Sequence, residues 1–304
     1  MGVNTDTAFF MLGAKQSGVS YHRCLTLGRQ WWFGDWKRLA TRADALSVRW
    51  PDTSSPDRTA WADDFFRALG AATLDVLDNS PYEGAALLHD LNQPLASPPG
   101  EGYDVVYDGG TLEHVFHYAT GIHTCMKLVK VGGHLCLWTP ANNELGHGFY
   151  QLGPELFHRL FCEAHGYRLR DLVLVEQRMR DTRWYRVADP ARLGARVGCV
   201  NSHPLFFMVL AQRVGDQLPD HLNVQQADYV EAWKAVDRTG GGQKVPVPPL
   251  PARGKGRMTR WIPSRWEADL KRYYRRYWVL RLGNRTFFEP VSKQDYHVWP
   301  GDVS

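Results

Sequence analysis

A chain of 304 residues is long enough for one large core with an appendage or for two small domains, and its 44% hydrophobic content excludes a disordered polymer. No run of eighteen apolar residues occurs, and Met1 to Phe10 lacks the basic-then-apolar order of a secretory leader, so a cytoplasmic protein is expected. The net charge of +4 is uneven: residues 251–285 hold eleven Lys/Arg against Glu267 and Asp269, while the rest of the chain has 25 basic against 30 acidic residues.

Arg23 to Leu27 reads as a buried parallel strand that enters a tight turn at Gly28. Ser55-Pro56-Asp57 offers an N-cap, a Pro at the first helical position and an early acid, and Trp61, Phe65, Ala68 and Leu69 follow at helical spacing. Thr73 to Leu77 reads as a second strand closing on Asp78, Ala85 to Leu88 as a third closing on His89-Asp90-Leu91-Asn92, and Asp104 to Tyr107 as a fourth ending at Asp108-Gly109-Gly110. From Leu112, the residues Val115, Phe116, Ala119, Ile122, Met126 and Val129 share one helical stripe, which Gly132-Gly133 is expected to stop. His134 to Trp138 supplies a fifth strand, and Pro154 opens a helix with Gly166 as its C-cap. Leu172 to Val175 and Leu205 to Ala211 are two more strands, separated by an Arg-rich loop containing Trp184 and Tyr185.

Strand and helix alternate to about residue 215, which predicts a doubly wound α/β domain over residues 1–215. Residues 216–304 then form a C-terminal extension: a short helix from Ala227 to Val236, a Gly/Pro-rich linker over 240–251, and an amphipathic basic helix from Trp266 to Leu282. The five cysteines are far apart and never form a Cys-x-x-Cys pair, which argues against a disulfide framework and against a zinc knuckle.

The stretch from Tyr103 to Phe161 carries the strongest signal. It runs Tyr-Asp-Val-Val-Tyr-Asp-Gly-Gly-Thr-Leu-Glu-His-Val, a helix, Gly-Gly-His-Leu-Cys-Leu-Trp-Thr-Pro, then His147-Gly148-Phe149-Tyr150-Gln151. Two short strands deliver polar residues at their C-terminal ends, where an open α/β sheet binds its ligand. This order resembles the second half of a class I S-adenosylmethionine (SAM) dependent methyltransferase, and the resemblance extends over roughly residues 21 to 211. It implies a Rossmann-like seven-stranded sheet, SAM as cofactor, and an acid at Asp78 that grips the ribose diol. It also implies Asp90 and Leu91 near the adenine, with Asp108 and Gly109 beside the methionine part. The departure is after the first strand, where the family has a Gly-x-Gly-x-Gly turn and this chain has Gly28-Arg29-Gln30-Trp31-Trp32.

Within that resemblance His147 and Tyr150 follow the fifth strand, at the mouth where an acceptor enters, and a histidine there suits removal of a hydroxyl proton near neutrality. The competing assignment makes the His147 loop a shaped connection that caps the following helix. Glu113 and His117, four apart, share a helical face, but no third ligand is spaced to complete a metal site, so Glu113 is read as a first-turn acid and no metal is expected. Trp31, Trp32 and Trp36 either wall an acceptor pocket or belong to the core.

The expected activity is transfer of a methyl group from SAM to a hydroxyl of a small molecule or glycan. The alternative is an interaction module that has lost the cofactor at the Arg29-Gln30 turn. A nicotinamide enzyme is disfavoured, because no Gly-x-Gly-x-x-Gly loop follows the first strand. Lys271-Arg272-Tyr273-Tyr274-Arg275-Arg276-Tyr277-Trp278 interleaves cations with aromatics, which suits an anionic lipid surface, with a peripheral place at the membrane, or RNA, or docking on the acidic body.

Overall fold

The computed structural model describes residues 2–48, 60–98, 100–179, 181–216, 218–239 and 273–298. In chain order the elements are β1 (Gly2–Asn4), α1 (Thr5–Gln16), β2 (Arg23–Leu27), β3 (Trp31–Phe33), α2 (Trp36–Ala45), α3 (Asp63–Ala68), β4 (Thr73–Asp78), β5 (Leu87–Leu88) and β6 (Tyr103–Asp108). There follow α4 (Tyr118–Leu128), β7 (Val129–Asn142), α5 (Pro154–Leu160), β8 (Tyr167–Gln177), β9 (Thr182–Val187), α6 (Pro190–Leu193), β10 (Leu205–Arg213), α7 (Ala227–Thr239) and β11 (Phe288–Val291).

The main sheet has the order β11-β9-β8-β10-β7-β6-β2-β4-β5. Strands β5, β4, β2, β6 and β7 pair in parallel, and β10 lies antiparallel between β7 and β8. Those seven strands form the expected doubly wound, Rossmann-like sheet. Beyond them β9 and β11 add two antiparallel strands, so the sheet has nine strands where seven were expected. The Arg-rich segment read as a loop is β9: Arg183 is exposed, whereas Trp184 is buried against the core and Tyr185 faces the opposite side of the sheet. Each face of this strand buries an aromatic residue beside an arginine, so the charge of the arginines hides its strand pattern.

Successive residues of the central strands supply two cores. Leu25, Val106, Leu135 and Leu137 pack against α4 and α5 on one face, while Cys24, Val105, Tyr107, Cys136 and Trp138 pack under α1 to α3 on the other. Helix α1 is buried along much of its length through Phe9, Phe10, Met11 and Leu12, and Asn4 starts it with a reciprocal cap to Thr7, 2.9 Å in both directions. The helix expected from Leu112 instead begins at Tyr118. A tight turn over Leu112–His114 precedes it, and the helix stops at Leu128, so that Gly132 and Gly133 lie inside β7. Gly133 is required there: a Cβ would come within 2.7 Å of the Tyr103 carbonyl. The helix start at 55–57, the linker at 240–251 and most of the basic stretch at 251–272 lie outside the described residues.

The C-terminal segment returns to the sheet. Leu282, Phe287, Phe288, Tyr296 and Val298 are buried, and β11 pairs with β9. Tyr296 stacks on Phe10 at 5.1 Å, and its hydroxyl donates to Asp171 of β8 at 3.0 Å. Tyr273 and Tyr277, expected to help dock the tail, are more than half exposed.

Candidate active site

The candidate site stands at the C-terminal ends of β2, β4, β6 and β7. At the end of β2, Gly28 turns the chain with φ +65° while its N–H donates to the Leu77 carbonyl at 2.8 Å. Arg29 then swings away to Asp63, 2.8 Å distant, and lies over the Trp61 ring. Gln30 points inward and is buried; its Nε2 donates to the carbonyls of Leu27 at 2.6 Å and Gly28 at 3.1 Å, leaving Oε1 with no partner. A Cβ on Gly109 would lie 2.1 Å from that oxygen, so Gly109 gives up its side chain to make room for Gln30. The segment after Gln30 is strand β3 on β1, with Trp32 stacked on Trp36 at 4.0 Å, which puts both of these tryptophans in the core; Trp31 is partly exposed beside Trp61.

Asp78 ends β4 and is half-buried; among the described residues the one hydrogen bond to its carboxylate is from its neighbour's N–H, Asn79, at 2.6 Å. It retains free acceptor capacity. Asp90 is tied to Asn92 through Oδ1, by the backbone N–H at 2.9 Å and the side-chain amide at 3.0 Å. Those bonds hold its carboxyl below the usual range, while Leu91 is buried beside it. Asp108 ends β6, but its oxygens face into the following turn and accept from Thr111 N at 2.7 Å and Gly110 N at 3.1 Å. Burial lifts it to about 6 against those bonds.

The turn that Asp108 caps carries the residue that sequence reasoning missed. Glu113 is completely buried, burial and then the neighbouring Asp108 push its carboxyl up to about 8, and its Oε1 lies 3.2 Å from His147 Nε2. It is not in the first turn of an α-helix, and its partner is not His117 but His147, whose ring lies 5.2 Å from that of His114. The loop after β7 reaches Glu113 because Phe149 N donates to the Glu113 carbonyl at 2.7 Å and Gly148 has φ +72°. A Cβ at Gly148 would meet that carbonyl at 2.8 Å. The same loop is fastened to the β10 side by Asn143, which donates to Asn201 Oδ1 at 2.8 Å and to the His203 carbonyl at 2.7 Å. Tyr150 donates its hydroxyl to the Phe116 carbonyl at 2.5 Å, which engages the group in holding the loop.

Two features fit the nucleoside cofactor that the sequence resemblance implies. The Asp78 carboxylate can accept from a ribose diol, and Gln30 Oε1 is a buried acceptor without a donor, suited to an amino group. A cavity of about 690 Å³ lies elsewhere, among Lys37, Arg38, Arg183, Arg285 and Lys293 at the β9–β11 edge.

No family model matches this sequence, and no curated protein does. Among solved structures it is similar to the trans-methyltransferase CalH in complex with SAH, at 13% identity over 69% of this chain and 57% of that one, with a TM-score of 0.35. It is also similar to a SAM-dependent methyltransferase from Mesorhizobium loti, at 14% identity over 68% and 96% of the two chains, with a TM-score of 0.29. A functionally unknown protein from Deinococcus radiodurans R1 matches at 15% identity over 70% and 89%, with a TM-score of 0.35.

Proposed function

We propose that this chain is a SAM-dependent methyltransferase acting on a hydroxyl of a small molecule or glycan. The observation that carries the reading is a juxtaposition at one end of a parallel sheet. An acid with spare acceptor capacity ends β4, and a buried carboxylate paired with a half-exposed histidine lies beyond β6 and β7.

The cofactor, when bound, supplies a methyl group already activated by its positively charged sulfur. Asp78 would hold its ribose, the Asp90–Leu91 turn its adenine side, and Gln30 Oε1 its amino group. His147 does the proton chemistry. In the form where Glu113 is ionised, which gains as the pH rises toward 8, Nε2–H donates to its carboxylate and leaves Nδ1 as the acceptor for a hydroxyl proton, and the carboxylate then stabilises the imidazolium that results. The exposed aromatics beside this pair, Phe116 and Phe149, offer an apolar rim for the body of the acceptor.

Release of SAH from SAM with a panel of hydroxylated acceptors tests the reading. The wild type should release SAH with one acceptor class, and His147→Ala should slow it roughly a hundredfold while leaving cofactor affinity within about twofold. Equal rates for both proteins at saturating acceptor between pH 6 and 8 would remove His147 from the chemistry.

A further inference from the structure

We infer that Glu113, His114 and His147 form a binding site for one divalent transition-metal ion. Their ligand atoms all lie within 4.8 Å of one another. Glu113 Oε1 and His147 Nε2 are 3.2 Å apart, which suits two neighbouring ligands of one ion: bonds of about 2.1 Å place such atoms roughly 3.0–3.4 Å apart.

The carboxylate makes the stronger case. Glu113 has no exposed surface, yet its Oε2 has no hydrogen-bond donor, and His147 is its one ionic partner among the described residues. Asp108, also buried, ends the strand just before it. Burying a carboxylate without donors costs several kcal/mol in general, and a second buried acid nearby adds to the demand for positive charge. A divalent ion on the solvent side of Glu113 meets that demand where a single half-exposed imidazole does so only in part.

The backbone is shaped for the approach. Gly110, with φ +102°, keeps a Cβ from standing 3.1 Å from Glu113 Oε1, and Gly148 lets the His147 loop close on the Glu113 carbonyl. His114 is exposed and His147 partly so, which leaves the outer face of the ion open to water or to the oxygens of an acceptor. Two imidazoles and one carboxylate favour zinc, manganese, iron or cobalt over magnesium and calcium, which prefer all-oxygen sites. Binding of the ion stands on the three ligands alone. Its consequence rests on the proposed reaction: with the ion in place His147 is a ligand, and the ion takes over the positioning and ionisation of the acceptor hydroxyl.

The test is calorimetric titration of chelator-stripped full-length protein with Mn²⁺, Co²⁺ and Zn²⁺, with the visible spectrum of the Co²⁺ form as a second readout. One ion per chain is expected. Glu113→Gln, His147→Ala and His114→Ala should each weaken it at least tenfold, while His117→Ala, which alters the histidine outside the cluster, should not. Because His114 is exposed, its variant leaves the core untouched and keeps the test decisive if Glu113→Gln fails to fold. Absence of binding in the wild type, or affinity unchanged by His114→Ala and His147→Ala together, overturns the site. A parallel SAM titration reports separately on the proposed activity, so loss of one does not read as loss of the other.

Discussion

Replacing Asp171 with alanine should release the C-terminal segment from the sheet. Asp171 sits in β8, 1% exposed, and accepts from Arg186 Nε and Nη2, from its neighbour Leu172 N, and from the Tyr296 hydroxyl at 3.0 Å. Arg186 in turn donates to the His297 carbonyl at 2.7 Å, so one carboxylate joins β8, β9 and the returning chain. Removing one partner of a buried ion pair costs about 3–5 kcal/mol, because the other charge is left without compensation. The Tyr296 hydroxyl adds about 1 kcal/mol, partly shared with the first loss. A total near 4 kcal/mol should move a urea midpoint by more than roughly 1 M at a slope of about 3 kcal/mol/M. Tyr296→Phe should cost only about 1 kcal/mol. Protease cleavage near Phe287 should become rapid in Asp171→Ala. A loss under about 1 kcal/mol with unchanged proteolysis would refute the hub.

Two buried histidines oppose the two buried acids of the site in the pH dependence of stability. Burial holds both His134 and His158 down at about 4. Between that value and the unfolded value of about 6.5 the unfolded chain binds more protons at each histidine, so their contribution to stability falls as the pH drops from 6.5 toward 4, whereas Glu113 and Asp108, raised to about 8 and about 6, keep their protons in the folded chain and contribute the opposite slope. Denaturation midpoints of the wild type and His134→Gln across pH 4 to 7 should diverge by one histidine's share, the variant losing less stability as the pH falls; parallel profiles contradict the assignment. Gly109→Ala should destabilise by roughly 1–3 kcal/mol, since Gln30 is tethered by its amide and cannot withdraw from the new Cβ, whereas Gly146→Ala has nothing within 4 Å and should be neutral on contact grounds. Adding Gln30→Ala to Gly109→Ala should recover most of the loss in a thermal melt, and no recovery would point to the Gly2 and Tyr107 contacts instead.

Much of the sheet was legible because parallel strands leave short apolar runs closed by Asp, as at Leu77-Asp78 and, in a strand buried throughout, Tyr107-Asp108. β9 was not, since its arginines mask a strand whose buried side chains are Trp184, Tyr185 and Val187. β11 was not, since its short run interrupted by Pro290 becomes a strand only by pairing with β9. In the site, Asp78 and His147 could be placed from strand ends alone. Glu113 could not: it was read as a first-turn acid of a helix shared with His117, whereas its burial follows from a tight turn capped by Asp108 and from a loop 34 residues later. Local periodicity carries no record of such a contact. Gly148 stands next to His147 in the sequence, but only the fold shows that the close approach it permits is to the Glu113 carbonyl.

The most direct measurement of the central claim is calorimetric titration of the purified chain with SAM and with SAH, beside Asp78→Asn. The account predicts one site per chain in the wild type and an affinity roughly ten- to a hundredfold weaker in the variant, the effect of removing a charged acceptor from two hydroxyls. No heat from either ligand with folded protein, or equal affinity for both proteins, would contradict it.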